Sequence, residues 1–253
     1  MANKKNLSLE ESYDASIIED YLNKTNGYRK PGNYFSIHEV PVKVKCLNEK
    51  QKLLKRSIEE KDITISIGPA GTGRTYMSLL TGLHLLKTEP RYRKLVLVKS
   101  LQTISGESLG YLPGNVWEKM EPYMYSFTGN LDKIFGSTTT TRKLIENETI
   151  KVLPIAYVRG VTIDNAIVII DEAQNIDTHT FKTIITRIGR NCKMIFLGDT
   201  DQIDRKNRAE SCLSKVAKLF ESYDGVGTVV FTKEESVRHP IIPKLLDMLE
   251  DVE

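Results

Sequence analysis

A glycine-rich loop is the part of the sequence with the clearest chemical meaning. Residues 68–75 read Gly-Pro-Ala-Gly-Thr-Gly-Arg-Thr and follow directly on the β-rich run Ile63–Ile67. Glycines let the backbone curl so that successive N–H groups converge on phosphate oxygens, and a following helix adds its positive end. A strand, such a loop and a helix in this order predict a nucleoside triphosphate site. The expected nucleotide contacts are Gly68, Pro69, Ala70, Gly71, Thr72, Gly73, Arg74, Thr75 and Tyr76.

The last two residues of the loop carry its charged and metal-binding groups. Thr75 supplies the hydroxyl that binds Mg²⁺ in loops of this kind. Arg74 stands where the standard loop has lysine, and it keeps the positive charge that catalysis needs. Guanidinium is planar and wider than the compact lysine ammonium. We therefore expect nucleotide to bind and its turnover to be slowed.

Two adjacent carboxylates form a second chemical feature farther along the chain. The apolar run Ala166–Ile170 leads straight into Asp171 and Glu172. In ATPases the first such acid holds Mg²⁺, and the second is placed to accept a proton from the attacking water as a general base. Alone, the pair fits a solvated strand end equally well. Together with the loop, it predicts hydrolysis of the triphosphate and disfavours a glycine-rich turn without a ligand.

A third polar group follows the next apolar run. Lys193–Leu197 ends in the sequence Gly-Asp-Thr-Asp-Gln, which places Asp199 and Gln202 after a strand. The side-chain amide of Gln202 can form a hydrogen bond with a γ-phosphate or a water. The carboxylate of Asp199 can orient Gln202. We predict a γ-phosphate sensor here; an ordinary Gly-Asp turn is the alternative.

The elements between these residues predict an α/β fold. Apolar residues at helical spacing indicate helices over Thr75–Lys87 and Thr178–Ile188. Runs that are apolar on both faces and linked by helices indicate a mostly parallel sheet with helices on both sides, as in P-loop NTPases of the RecA-like type. The expected strands are Ile63–Ile67, Leu95–Val98, Ile150–Ile155, Ala166–Asp171, Lys193–Leu197 and Thr228–Phe231.

Length and composition fit one such domain with an extension. The chain has 253 residues and a formal net charge of +3, too small to indicate a nucleic-acid partner by itself. We divide it into an N-terminal extension over residues 1–38 and a nucleotide-binding domain over residues 39–253. Three scattered cysteines suggest reduced thiols, and no apolar run is long enough to span a membrane, so we expect a cytoplasmic protein.

Seven short motifs occur in order along the chain. They are Ile67–Thr75, Gly106–Gly114, Pro154–Gly160, Ile170–Asn175, Thr186–Gly189, Gly198–Asp204 and Val237–Pro240. In content and order they resemble the PhoH-like family of P-loop ATPases, whose core is related to the first helicase superfamily. The resemblance implies ATP and Mg²⁺ as cofactors.

The resemblance also implies roles for residues outside the loop and the acidic pair. Residues 48–51 look like the adenine-recognition motif of helicases, so Gln51 would contact the base edge and favour ATP over GTP. Arg238 matches a family arginine that touches phosphate. Either Arg159 or Arg187 could act across a subunit boundary, and a surface ion pair is the alternative for both.

Partners are implied more weakly. Family members form ring-shaped oligomers, often hexamers, and some have RNA-linked activities, so the resemblance implies a homo-oligomer and single-stranded RNA or DNA. Two basic clusters, Arg91–Lys94 and Arg205–Arg208, could contact RNA phosphate, but clusters of this kind are more often solvated loops. Lys99 and Ser100 depart from the Arg-Pro common in the family, which weakens any role carried over to that position.

Three functions remain open at this point. The first is an ATPase acting on RNA, and the second is a nucleotide-gated binding module in which Arg74 leaves ATP uncut. The third is a small-molecule kinase. Glu172 beside Asp171, with Gln202 as sensor, favours water over a metabolite hydroxyl as the nucleophile.

Overall fold

A computed structural model of the protein describes residues 35–100, 116–158, 160–199 and 212–239, with Ile241, Leu245 and Met248. The predicted extension over residues 1–38, the motif at 106–114, Arg159, Gln202 and the cluster at 205–208 therefore lie wholly or largely outside the described residues. The helices are α1 Glu49–Glu60, α2 Arg74–Thr88, α3 Val116–Phe135, α4 Thr138–Glu146, α5 Ile155–Val158, α6 Thr178–Ile185 and α7 Leu213–Leu219. The strands are β1 Ile63–Ile67, β2 Lys94–Lys99, β3 Ile150–Pro154, β4 Ala166–Asp171, β5 Cys192–Gly198 and β6 Val226–Val230.

The six strands form one parallel sheet in the order β3-β2-β4-β5-β1-β6. This confirms the predicted α/β fold. Both β1 and β4 match their predicted bounds residue for residue: β4 is a continuous apolar run up to Asp171, and β1 is a short β-rich run in which Thr64 and Ser66 are also buried. Because every strand runs the same way, the polar residues that follow β1, β4 and β5 meet at one edge of the sheet.

Two apolar layers cover the sheet. One face packs against α1, α2, α3 and α4, with Leu54, Leu83 and Phe127 among its buried side chains. The other face packs against α6 and α7, where Phe181 lies 4.6 Å from Phe196 between ring centroids. Among the described residues, none of the helices is both long and apolar enough to cross a membrane.

Helix α6 ends three residues earlier than predicted. After Ile185 the chain tightens, with Arg187 N donating to Ile184 O, and Ile188 then forms a bridge to Ile163. The apolar spacing continued past the helix end because Ile188 packs on the same core from a non-helical turn.

Three helices begin with a side-chain cap, whereas α2 does not. Asn48, Ser137 and Asp177 each accept a hydrogen bond from the first turn of the helix that follows them. Helix α2 instead begins after Gly73, which has φ 81° and no side chain to offer. The first N–H groups of α2 are therefore left for another acceptor.

Candidate functional site

A cleft of about 350 Å³ opens at the carboxyl edge of the sheet. It lies between the glycine-rich loop, the ends of β4 and β5, and the side of α3. The structure thus brings together residues 70–76 of the predicted loop, the predicted acidic pair, Asp199 and the predicted Arg238, whereas Gly68 and Pro69 do not line the cleft. Its lining includes Gly71, Gly73, Arg74, Thr75, Tyr76, Ser126, Asn130, Asp171, Glu172, Gln174, Gly198, Asp199 and Arg238.

The loop needs glycine at positions where it meets other chain segments. Gly68 has φ 153°, and a Cβ there would lie 2.6 Å from Phe231 Cβ and 2.7 Å from Phe231 O. Gly71 has φ 88°, and a Cβ there would lie 2.5 Å from the Cδ of Arg238. Gly68 thus seats the loop against the residue that follows β6, while Gly71 lets Arg238 cross directly over the loop.

Main-chain N–H groups form the floor of the cleft. Within the described residues, the N–H groups of Gly73, Arg74, Thr75 and Tyr76 donate no hydrogen bond to the protein, whereas Met77 N donates to Gly73 O at 2.9 Å. All four residues line the cleft. Unpaired amides at a helix start attract an anion, and a phosphate has the oxygens to accept from several of them at once.

Arg74 reaches across the cleft toward the side formed by Asp171, Glu172 and Asp199, which we call the acidic wall; the side formed by the glycine-rich loop is the loop wall. Its guanidinium donates to the carbonyl oxygen of Gly198 at the end of β5. Burial lowers the pKa of Arg74, while the negative charges of Asp199, Asp171 and Glu172 act in the opposite direction. The arginine is thus placed between the loop and all three carboxylates.

Asp171 is the carboxylate most affected by its surroundings. Burial, followed by the charge of Glu172, raises its pKa to about 6, against the opposing effects of Lys99 and Arg74. Lys99 is its register partner on β2 and donates to Ser126 Oγ at 3.0 Å. A carboxylate that is costly to ionise without a cation is a suitable ligand for Mg²⁺.

Glu172 has an unusual backbone and a fixed side chain. Its φ of 58° lies in the left-handed region, which non-glycine residues rarely adopt. Its carboxylate oxygen Oε2 accepts a hydrogen bond of 2.7 Å from Gln174 Nε2. Backbone strain and a directed carboxylate at a cleft are features of reactive residues.

Sequence reasoning gave no role to several residues that line the cleft. Gln174 lies inside the Ile170–Asn175 motif, but nothing in that motif says which atoms it binds. Ser126 and Asn130 come from α3, where Asn130 Nδ2 donates to Ser126 O at 2.7 Å. Their i, i+4 spacing on a helix would have been the only signal.

Gln51 lies behind the loop and does not line the cleft. Its side chain is 2% exposed, with Oε1 accepting from Leu47 N at 2.8 Å and Nε2 donating to Thr72 O at 3.1 Å. A contact with a base edge would require these bonds to be exchanged. The predicted adenine contact stays a prediction, and the structure gives Gln51 a direct hydrogen bond to the loop backbone.

The segment after β6 holds the loop from the other side. Val237 N donates to Gly71 O at 2.9 Å, which places exposed Arg238 at the rim of the cleft. Arg187 lies elsewhere, with its guanidinium bonded to Thr183 O and Thr186 Oγ1. Its predicted role across a subunit boundary stays a prediction.

The oxygen donors of the cleft fit Mg²⁺ bound together with phosphate. In the part of the chain that the structure describes, no group of three or more His, Cys, Asp or Glu side chains is placed to bind a metal ion by itself. Mg²⁺ usually takes one or two carboxylates and completes its shell with phosphate oxygens and water. Thr75 and Asp171 line the same cleft and offer a hydroxyl and a carboxylate of this kind.

Comparison with known proteins agrees with these observations. Residues 43–250 match the family described as PhoH-like protein. The chain is 35% identical over 206 residues to a PhoH-like protein of Bacillus subtilis, covering 81% of this chain and 63% of that protein. It is 35% identical over 200 residues to Protein PhoH of Escherichia coli K12, covering 79% and 56%. The chain thus spans about three fifths of the length of these relatives.

Among solved structures, the large terminase of a thermophilic bacteriophage aligns with a TM-score of 0.48 at 10% identity, covering 80% of this chain and 50% of that one. The Pif1 helicase of Candida albicans aligns with a TM-score of 0.38 at 16% identity, covering 82% and 44%. The sequence matches, which extend over four fifths of the chain, decide its classification. The chain belongs to the PhoH-like protein family.

Proposed function

We propose that this chain is a Mg²⁺-dependent ATPase. The observation that carries the proposal is that the N–H groups of residues 73–76, which have no hydrogen-bond acceptor among the described residues, line one cleft with the Asp171–Glu172 pair. Phosphate oxygens require donors and positive charge, and an attacking water requires a nearby base. The two walls of the cleft supply these separately.

Binding relies mainly on the loop. The outer phosphates would accept hydrogen bonds from the N–H groups of residues 73–76, with Arg74 and Arg238 adding positive charge. Thr75 and Asp171 would hold Mg²⁺, which would neutralise part of the phosphate charge when bound. Gln51 fixes the loop from behind through Thr72.

Hydrolysis relies on the acidic wall. Glu172 would accept a proton from a water as that water attacks the γ-phosphorus, the bond to the β-phosphate oxygen breaks, and ADP and phosphate form. Arg74 and Arg238 would stabilise the charge on the transferring group. Gln202 keeps its predicted role as γ-phosphate sensor.

The direct test is phosphate release by the purified chain. We expect turnover with ATP and Mg²⁺, none with EDTA, and a loss of turnover in Glu172→Gln with nucleotide binding retained. Equal release from wild type and Glu172→Gln would exclude Glu172 as the base.

A nucleotide-gated binding module is the second candidate, and the position of Arg74 favours it. The guanidinium donates to Gly198 O and lies among three carboxylates, so it would have to leave these partners to reach a phosphate. Nucleotide recovered from the protein after long incubation distinguishes the two candidates. Intact ATP supports the binding module, and ADP supports the ATPase.

Two further proposals rest on family resemblance. One is coupling of the ATPase to single-stranded RNA or DNA, and the other is assembly into a homo-oligomer such as a hexameric ring. The basic cluster Arg91–Lys94 gives no support at the cleft, because it lies at the amino end of β2 and the cleft lies at the carboxyl edge. Phosphate release with and without each nucleic acid, and native mass with and without ATP, test both proposals.

A further inference from the structure

One peptide unit at the end of β5 contacts both walls of the cleft. Its carbonyl oxygen, from Gly198, accepts a hydrogen bond from the guanidinium of Arg74. Its N–H, from Asp199, donates to Gln174 Oε1 at 3.0 Å. Gln174 Nε2 in turn donates to Glu172 Oε2 at 2.7 Å. A continuous series of hydrogen bonds therefore joins the charged residue of the loop to the carboxylate of the acidic pair.

The orientation of the Gln174 amide is fixed by chemistry. The Asp199 N–H requires an acceptor, so Oε1 must face β5, and a carboxylate requires a donor, so Nε2 must face Glu172. The side chain is 1% exposed, and reversing the amide would set Nε2 against the Asp199 N–H and Oε1 against the Glu172 carboxylate, donor against donor and acceptor against acceptor. Gln174 can thus hold Glu172 in only one way.

The turn that carries Gln174 is also packed tightly on β5. A Cβ on Gly198 would lie 3.0 Å from Gln174 N and 2.2 Å from Leu213 Cδ2. The end of β5 therefore lies close against the turn that carries Gln174, with no room for a side chain between them. Serial hydrogen bonds in a low-dielectric interior also strengthen one another, so loss of one weakens the next.

We infer that Gln174 is a positioning residue for Glu172, and that the Gly198–Asp199 peptide makes the orientation of this carboxylate depend on where Arg74 binds. When Arg74 turns to a phosphate, the Gly198 carbonyl loses its charged donor, and the change reaches Glu172 through Asp199 N–H and Gln174. The inference rests on the proposed function, since it gives Glu172 the role of general base.

The main experiment is a double-mutant comparison under single-turnover conditions, where slow variants remain measurable. We expect Gln174→Ala to lower the single-turnover rate constant by about 10- to 100-fold with little change in the Kd for nucleotide, as for other residues that orient a catalytic group. In a Glu172→Gln background the same substitution should change the rate less than about twofold, because the residue that it orients is gone. An equal loss in both backgrounds would overturn the inference.

A second variant tests the pH dependence of kcat, which would not change if Gln174 had only a structural role. Gln174→Glu keeps the shape and the acceptor for Asp199 N–H, and it can donate to Glu172 only while protonated. Its kcat relative to wild type should therefore fall as the pH rises from about 5 to 8, the range over which a buried carboxyl ionises. A ratio independent of pH would contradict the inference.

Asn175→Ala is the matched control, because it removes another buried amide from the same single-turn 3-10 helix, Ala173–Asn175. It should leave kcat far closer to wild type than Gln174→Ala does, and an equal loss would show that packing of the turn is responsible. Failure of the proposed function looks different, since wild type itself would then release no phosphate.

Discussion

The loop wall and the acidic wall of the cleft are built in opposite ways. The loop offers main-chain N–H groups beside the side chains of Arg74 and Thr75, and its glycines allow close approach of Phe231 and Arg238. The acidic wall offers two carboxylates: burial and Lys99 act on the pKa of Asp171, and a hydrogen bond from Gln174 holds Glu172. A main-chain site is damaged by adding atoms, whereas a side-chain site is damaged by removing or recharging them.

The largest effect is expected on the acidic wall. Glu172→Gln keeps the size of the side chain and removes its capacity to accept a proton. We expect kcat to fall by about 10³-fold, within the range of general-base catalysis, with the Kd for nucleotide changed little. Phosphate release and binding of a fluorescent ATP analogue measure the two quantities. A kcat within tenfold of wild type would remove the base from the mechanism.

On the loop wall, adding one methyl group should act on folding. Gly68→Ala places a Cβ against the Phe231 backbone, at a φ that alanine rarely adopts, so we expect a loss of about 2–4 kcal/mol in the free energy of unfolding. Urea denaturation measures it.

Gly129→Ala is the control for Gly68→Ala. Gly129 lies in α3, and a Cβ at this position would have no atom within 4 Å, so alanine there should be neutral or stabilise by about 0.5–1 kcal/mol. Equal destabilisation of the two variants would show that the contact with Phe231 is not the cause.

Substitution of Arg74, which reaches from the loop wall to the acidic wall, should have a smaller effect on turnover. Arg74→Lys replaces the planar guanidinium with a compact ammonium that fits between outer phosphates and has weaker ties to Gly198 O. We expect turnover to rise by about 3- to 10-fold, as expected for one improved charge-assisted contact. Steady-state phosphate release measures it, and an unchanged or lower kcat would show that arginine is no handicap here.

The last effect concerns the stability of the protein without ligand. Because the pKa of Asp171 is raised to about 6 from 3.8, the folded state holds its proton more tightly than the unfolded state, and stability is lost as the pH rises between these values. Asp171→Asn removes the buried charge, so we expect it to stabilise the ligand-free protein by about 1–2 kcal/mol at pH 8.

The gain from Asp171→Asn should shrink as the pH is lowered toward 4. Urea denaturation at several pH values, without nucleotide or Mg²⁺, measures this trend. A variant that is less stable than wild type at pH 8 would contradict the assigned cause of the pKa shift.

How much the sequence reveals also differs between the walls. The loop and the strand β4 could be predicted because glycine spacing and continuous apolar runs are local patterns that tertiary context does not alter. The role of Gln174 could not, because its partners come from Glu172 and from β5, which the register of the sheet brings beside it. For Gln51 the motif predicted a base contact, which stays a prediction. The sequence did not predict the hydrogen bond from its amide to the loop backbone, because that bond depends on tertiary packing.

The central claim is that both walls act on one Mg²⁺–triphosphate. The most direct test is calorimetric titration with a non-hydrolysable ATP analogue, carried out with and without Mg²⁺. Wild type, Thr75→Ala, Asp171→Asn and the double variant would be compared. We predict that Mg²⁺ strengthens binding to wild type by about tenfold or more, that either substitution abolishes this gain, and that the double variant loses nothing further, because both residues act through the same ion. A gain from Mg²⁺ that survives in either single variant, or losses that add in the double variant, would contradict the account.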